Sequence, residues 1–133
     1  MGAWGMGPFD NDSALDFLGD LSDRGGDVTE GLRDGMAAVV NAREYLDSDD
    51  MEGAIAAACL VAARIEPGVL DDPNGREYLE TLAFTVDAGM RELAGKVFAR
   101  AFEPGDNEWY ALWDDGGAIP KVRDAVAPYR GVL

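Results

Sequence analysis

Carboxylates are the side chains of this chain with the most chemical scope, and several stand close together in the sequence. The close sets are Asp10 and Asp12; Asp47, Asp49 and Asp50; Asp71 and Asp72; and Asp114 and Asp115. Carboxylate oxygens bind hard cations such as Mg²⁺ and Ca²⁺, and two carboxyl groups can flank a glycosidic bond for hydrolysis. None of the sets has the EF-hand spacing, with its central glycine and final glutamate, so we interpret them as helix caps and exposed loop charges. We predict no metal ligand and no catalytic residue.

Histidine is absent from the sequence, which removes Ser-His-Asp and Cys-His nucleophilic systems and the commonest metal ligand. The single cysteine, Cys59, lies in the apolar run 54–63 without a nearby base or cation, so we expect it to be buried and unreactive. Phosphate-binding loops need glycines between a strand and a helix, and residues 2–7 have neither a preceding strand nor a lysine. No cofactor is expected.

The chain is strongly acidic, with 11 basic and 26 acidic residues and a formal net charge of −15. This charge repels nucleic-acid phosphates and anionic membrane surfaces, and the basic residues form no stripe with interleaved aromatics. We therefore predict neither a nucleic-acid nor a membrane partner. The general interpretation of the acidity is solubility, and the specific one is attraction to a basic protein partner.

Targeting signals are not evident in the sequence. No apolar run is long enough to cross a bilayer, and the first residues lack a basic region followed by an apolar core. We expect neither a membrane span nor a signal peptide, and a cytoplasmic location. A single cysteine agrees with a reducing compartment but decides little.

Apolar residues recur at three- and four-residue steps, which is the period of amphipathic helices, and no stretch shows sustained strand alternation. The predicted segments are a helix capped by Asp10; a helix from Asp27 to about Leu46; a helix from Asp49 to Glu66; a series from Tyr78 to Ala101; a short helix capped by Asn107; and a last helix from about Pro120. The third helix has apolar residues nearly all round and is expected to be central and most buried. These segments predict an all-α bundle of five to seven helices in one domain, residues 1–133.

The helix ends carry further predictions. A cap at Asp10 gives Phe9 and Ala14 the spacing of a hydrophobic staple. Asp27 with Glu30, and Asp49 with Glu52, have the spacing of capping boxes. Residues 67–75 are interpreted as a connection, and Pro128 is expected to make the end of the last helix ragged.

Two features inside the predicted helices are less regular. Gly31 and Gly35 each cost about 1 kcal/mol relative to alanine, and we expect them to let another helix approach closely. The series 76–102 could form one helix or two. We favour a break near Thr85, where Thr85 or Asp87 could cap a second helix.

The three tryptophans lie in two segments, Trp4 near the start of the chain and Trp109 with Trp113 late in it. Residues 2–9 combine Trp4 and Phe9 with three glycines and a proline, so we expect an N-terminal Gly/Trp loop packed on the bundle. We expect Trp109 and Trp113 to pack near it, with separate burial as the alternative. The candidate structural or interaction residues are Trp4, Phe9, Asp10, Asn11, Asp12, Trp109 and Trp113. The aromatic members serve either as core anchors or as contact residues for a partner.

The first residues of the chain form a motif, Gly2-Ala3-Trp4-Gly5, then Gly7-x-Phe9-Asp10-Asn11-Asp12 and Ala14-Leu15-Asp16-Phe17-Leu18. This motif resembles the opening signature of a bacterial family, domain of unknown function 4259. A second motif, residues 107–113 (Asn-Glu-Trp-Tyr-Ala-Leu-Trp), is similar to the family's N-S-E-L-x-x-L-W segment, with Glu108 and Trp109 where Ser-Glu is expected. The resemblance covers nearly the whole chain and implies no catalytic residue.

Three functions fit these observations. We favour a non-enzymatic acidic helical domain, of immunity or regulatory type, that binds a basic protein. The first alternative is a small carboxylate- or metal-dependent enzyme using Mg²⁺ or Ca²⁺. The second is a structural domain that forms homo-oligomers through an apolar helix face.

Overall fold

The structure is a computed structural model that describes residues 5–133, and it is all-α, as predicted. Its helices are α1 (Asp12–Arg24), α2 (Thr29–Val40), α3 (Ser48–Ile65), α4 (Pro73–Thr81), α5 (Ala88–Ala101), α6 (Glu108–Asp115) and α7 (Ile119–Val132), with a 3₁₀ turn at Pro67–Val69. Residues 5–133 contain no strand, and their bridge-type backbone pairings include two isolated parallel bridges, Asp27 with Ala83 and Leu46 with Asn107. Seven α-helices in the described part agree with the predicted five to seven.

Helix α3 lies at the centre of the fold, which confirms its prediction as the most buried helix. Twelve of its 18 residues are buried, including the continuous run 53–63. Alanine dominates this run, so neighbouring helices approach closely, and α1, α2, α5, α6 and α7 all pack against it. Cys59 is fully buried there, and desolvation raises the pKa of its thiol well above the ordinary value.

The first helix is capped by Asn11, so the predicted cap at Asp10 is wrong. The backbone N–H of Ala14 donates to Asn11 Oδ1 at 2.7 Å. Asp10 is instead part of a turn, in which its carboxylate accepts from the Gly7 N–H at 3.1 Å. Phe9 therefore precedes the cap by two residues and lacks the predicted staple spacing, although its side chain is fully buried.

Helix α2 ends at Val40, and the predicted continuation to Leu46 is wrong. Leu46 donates through its N–H to the Asp106 carbonyl at 2.8 Å and accepts from the Glu108 N–H at 2.9 Å. This pairing with the α5–α6 connection removes Leu46 from the helix, because the same backbone groups cannot also bond within it.

The two predicted capping boxes are also wrong. Asp27 accepts from the Thr29 N–H at 2.8 Å, while Glu30 pairs with Arg33 at 3.0 Å instead of reaching back. The cap of α3 is Asp47, which accepts from the Asp50 N–H at 2.8 Å. The third helix therefore begins at Ser48, slightly earlier than predicted.

The series 76–102 forms two helices, as favoured, and Asp87 caps the second by accepting from the Met90 N–H at 2.8 Å. The predicted connection 67–75 is too long. Asp72 caps α4 and Pro73 occupies its first turn, which suits a residue that lacks an N–H. The linking residues 82–87 are fixed by the Val28 N–H, which donates to the Ala83 carbonyl at 2.8 Å.

Helix α7 continues through Pro128 to Val132, so the predicted ragged end is wrong. Proline removes only one intrahelical N–H, and the buried Val126 and Tyr129 on either side keep this turn packed on the core. Among the helices of residues 5–133, none has both the length and the apolar character needed to cross a bilayer.

Candidate functional site

Two grooves and a narrow crevice lie beside the first turns of α3. The two motif segments meet at the crevice, which adjoins one of the grooves. Met6, Gly7 and Pro8 line this crevice together with Trp109 and Trp113 of α6. Asn11 and Glu52 line the same crevice. The two motifs, nearly 100 residues apart in sequence, are thus neighbours in space. Trp4 lies outside the described residues.

Glycines in the N-terminal segment make room for the Asp10 carboxylate. A Cβ atom at Gly5 would lie 2.6 Å from Asp10 Oδ2, and one at Gly7 would lie 2.7 Å from the same atom. Gly7 also donates its N–H to that oxygen. The glycines at positions 5 and 7 therefore allow a close approach between backbone and carboxylate, and Asp10 fixes the turn that leads into α1.

Asn107 fixes the start of α6 and joins it to the end of α5. Its side chain is 3% exposed, and its Oδ1 accepts from the Tyr110 N–H at 3.1 Å, as the predicted N-cap. Its Nδ2 donates to the Ala101 carbonyl at 2.9 Å and to the Arg100 and Glu103 carbonyls at 3.2 Å each. One amide thus satisfies carbonyls at the end of one helix and an N–H at the start of the next.

Glu108 joins α6 to α3. Its Oε1 accepts from the Ser48 N–H at 2.8 Å, while its own N–H donates to the Leu46 carbonyl. The carboxylate therefore satisfies a free N–H in the first turn of α3, where the helix dipole favours a negative charge. This contact positions the aromatic side chains of α6 against α3.

The first groove, which we call the aromatic groove, has a volume of about 280 Å³. Its lining residues are Met6, Ser48, Glu52, Trp109, Leu112, Trp113, Gly116 and Ala118. Trp109 is 4% exposed and packs edge-on against Phe102, with ring centroids 5.4 Å apart. Met6 and Leu112 are 38% and 42% exposed, so the groove has apolar residues that remain in contact with water.

Glu52 is a half-buried carboxyl group that borders both the crevice and the aromatic groove. Burial raises its pKa to about 7, with further contributions from the negative charges of Asp49 and Asp12, while Ser13 acts in the opposite direction. The Ser13 hydroxyl itself donates to Asp49 Oδ1 at 2.7 Å. Glu52 therefore changes charge near neutral pH in an apolar environment.

The second groove, which we call the acidic groove, lies where α1, α2 and α3 meet and has a volume of about 360 Å³. Its lining residues are Ser13, Asp16, Phe17, Asp20, Gly35, Ala38, Asp49, Asp50, Gly53 and Ala54. Burial, together with the charges of Asp47 and Asp49, raises the pKa of Asp50. A cation bound beside Asp50 would act in the opposite direction and lower its pKa.

Phe17 lies against two glycines at the acidic groove. A Cβ atom at Gly35 of α2 would lie 2.5 Å from the Phe17 ring, and one at Gly53 of α3 would lie 3.2 Å from it. The close helix approach predicted from Gly31 and Gly35 is thus confirmed, since Leu21 occupies the corresponding space at Gly31. The half-buried Phe17 ring lies among the four carboxylates of the groove.

The predicted candidate residues do not form one site. Phe9 and Trp109 are buried core residues, Trp113 is half-buried at the aromatic groove, and Asp12 is exposed. Asp10 and Asn11 hold the turn and the cap described above. Within residues 5–133, no three carboxylates or thiols lie in an arrangement that could hold a metal ion.

Sequence reasoning missed Glu52 and Phe17 as groove residues. Glu52 is a charged residue directly before the apolar run 53–63 of α3, a signal that was available in the sequence. For Phe17, only the packing of α1 against α2 and α3 shows that its ring borders a groove.

A family model described as "Domain of unknown function (DUF4259)" matches residues 2–125. The comparisons with curated proteins and with solved structures gave no match.

Proposed function

The chain belongs to the DUF4259 family, and we propose that it is a binding protein, of immunity or regulatory type, for a basic protein partner. The observation that carries this proposal is the acidic groove. Asp16 and Asp20 reach it from α1, and Asp49 and Asp50 reach it from the first turn of α3. No lysine or arginine is among its lining residues in the described chain.

The groove carboxylates are not neutralised by the ion pairs of the described chain. Those pairs join Arg33 to Glu30 and Asp87, and Lys96 to Glu92, away from the groove. Unpaired carboxylates on a concave surface concentrate a negative potential and speed the approach of a cationic partner. The net charge of −15 adds a long-range attraction in the same direction.

The groove also suits an arginine or lysine side chain in detail. A guanidinium group can bind two carboxylate oxygens at once, and Arg and Lys both gain from contact with an aromatic face. The acidic groove offers both partners, because Phe17 lies among its carboxylates. Binding of this kind needs no catalytic residue.

The proposal is tested with a fluorescein-labelled octa-arginine peptide as the probe, by anisotropy at low and at high salt. The double variant Asp16→Asn/Asp20→Asn should weaken binding about tenfold, since two cation contacts of about 0.7 kcal/mol each are lost. The matched control is Glu77→Gln/Glu80→Gln, which removes the same charge from exposed positions on α4.

Equal weakening by the two double variants would show that the groove has no special role, and binding that does not respond to salt would contradict an electrostatic partner. A further test uses affinity capture from the source cells. The captured proteins should be more basic than background, and the groove variant should lose them.

A further inference from the structure

We propose that the aromatic groove receives one large apolar side chain of the same basic partner, from a segment in which lysine or arginine flanks that side chain. This inference rests on the proposed function and adds the second contact of the interface. At this interface, the acidic groove binds a cationic side chain of the partner and the aromatic groove binds an apolar side chain of the same partner.

The first argument is the position of the two grooves on α3. Ser48 and Glu52, four residues apart, face the aromatic groove, whereas Asp49 and Gly53, also four residues apart, face the acidic groove. Residues four apart share a helix face, and a shift of one residue turns that face by about 100°. The grooves therefore open on adjacent faces of one helix, within reach of a single partner segment.

The second argument is the apolar surface that the aromatic groove leaves exposed. The large hydrophobic residues exposed in the described chain are Met6, Tyr45, Ile65 and Leu112. Met6 and Leu112 both line this groove, next to the half-buried Trp113. The volume of about 280 Å³ is suited to one large side chain. Aromatic and apolar side chains in such pockets carry much of the energy of protein interfaces.

The third argument is charge complementarity around the groove. Glu52 lies at its α3 side, and Asp114 and Asp115 follow Trp113 directly on α6 as exposed residues. No lysine or arginine lines the groove in the part of the chain that the structure describes. An apolar anchor flanked by cations satisfies both the apolar lining and the acidic surroundings, whereas an anionic or purely apolar segment does not.

The test compares three labelled peptides of equal length by fluorescence anisotropy: a lysine peptide with a central phenylalanine, a lysine peptide with a central serine, and a glutamate peptide with a central phenylalanine. We expect the native chain to bind the Lys/Phe peptide at least fivefold more tightly than the Lys/Ser peptide. The Glu/Phe peptide should not bind measurably.

The variant Met6→Ser/Leu112→Ser should abolish this preference for phenylalanine. Both positions are exposed, so the fold should persist. The matched control is Tyr45→Ser/Ile65→Ser, which changes two exposed apolar residues outside the groove and should keep the preference. Asp16→Asn/Asp20→Asn should weaken the binding of both lysine peptides to the same degree, so the ratio of their two affinities should not change.

The outcomes separate the inference from the proposed function. Equal, salt-dependent binding of the two lysine peptides, or a phenylalanine preference that survives Met6→Ser/Leu112→Ser, overturns the inference and leaves the proposed function standing. If neither lysine peptide binds, the result counts against the proposed function itself. A dimer in sedimentation that Met6→Ser/Leu112→Ser dissociates would assign the groove to a second copy of the chain and would overturn the inference.

Discussion

The N-terminal segment and helix α6 meet at the same groove, but different forces hold them there. The N-terminal segment relies on Phe9, whose ring lies directly on the α4 backbone. A Cβ atom at Gly75 would lie 2.8 Å from the ring. Helix α6 adds to its buried Trp109 the hydrogen bonds of Asn107 and Glu108, which connect it to α5 and α3. One wall of the groove therefore depends mainly on apolar packing, and the other depends on polar contacts as well.

This difference determines how substitutions in each wall affect the stability of the fold. Apolar packing fails when volume is lost, whereas a buried polar network fails when one member is removed and its partners are left unpaired. The two asparagine caps make the contrast measurable. Within residues 5–133, the Asn11 side chain accepts one hydrogen bond at the start of α1, whereas the Asn107 side chain accepts one and shares its two amide hydrogens among three carbonyls.

Phe9→Ala is expected to give the largest effect, a loss of about 3–5 kcal/mol in the free energy of unfolding. Phe9 is fully buried, so truncation loses its transfer free energy and leaves a cavity against α4. Urea unfolding followed by circular dichroism measures the loss. The control Tyr45→Ala, at a side chain 60% exposed, should change stability by less than about 0.5 kcal/mol. A loss below about 1 kcal/mol at position 9 would contradict its role in the core.

Asn107→Ala is expected to cost about 2–3 kcal/mol, because it removes a cap and takes away the side-chain donor of the buried Ala101 carbonyl. The matched variant Asn11→Ala removes a cap alone and should cost about 1 kcal/mol. Both are measured by urea unfolding under the same conditions. Asn107→Asp keeps the accepting oxygen but places a carboxylate oxygen against the carbonyl oxygens, so at neutral pH it should cost at least as much as Asn107→Ala. Equal costs at positions 11 and 107 would show that the link between α5 and α6 adds nothing to the cap.

Local sequence signals predicted the fold class, the central helix and several helix ends. The caps at Asp87 and Asn107 and the break near Thr85 follow from short-range features, namely side chains that accept from the next turn and β-branched residues that disfavour helix. Such features act over a few residues, so they can be identified without knowing the fold.

The predictions that failed depend on contacts between distant residues or on a choice among equivalent neighbours. Leu46 leaves the helical pattern because it pairs with residues 106 and 108. Asn11 caps α1 in place of Asp10 because the Asp10 carboxylate accepts a hydrogen bond from the Gly7 N–H in the preceding turn. The grooves were not predicted, since helical period gives the buried face of each helix but not which faces of different helices meet.

Glu52→Gln is expected to give the smallest effect, and it tests the carboxyl group that borders the aromatic groove. The pKa of Glu52 is about 7 in the folded chain against an ordinary value of 4.5, so between these pH values the folded chain binds more protons than the unfolded chain. Stability from this group is therefore present below about pH 4.5 and is lost as the pH rises through about 7.

With the half-exposure of the side chain taken into account, Glu52→Gln should stabilise the fold by about 1 kcal/mol at pH 8 relative to the native chain, and by little at pH 4.5. Urea unfolding at the two pH values measures this difference, with Glu80→Gln as a control at an exposed position on α4. If both variants show the same pH dependence as the native chain, the Glu52 carboxyl group is solvated in the folded protein, and the groove beside it is wetter than its tryptophan lining indicates.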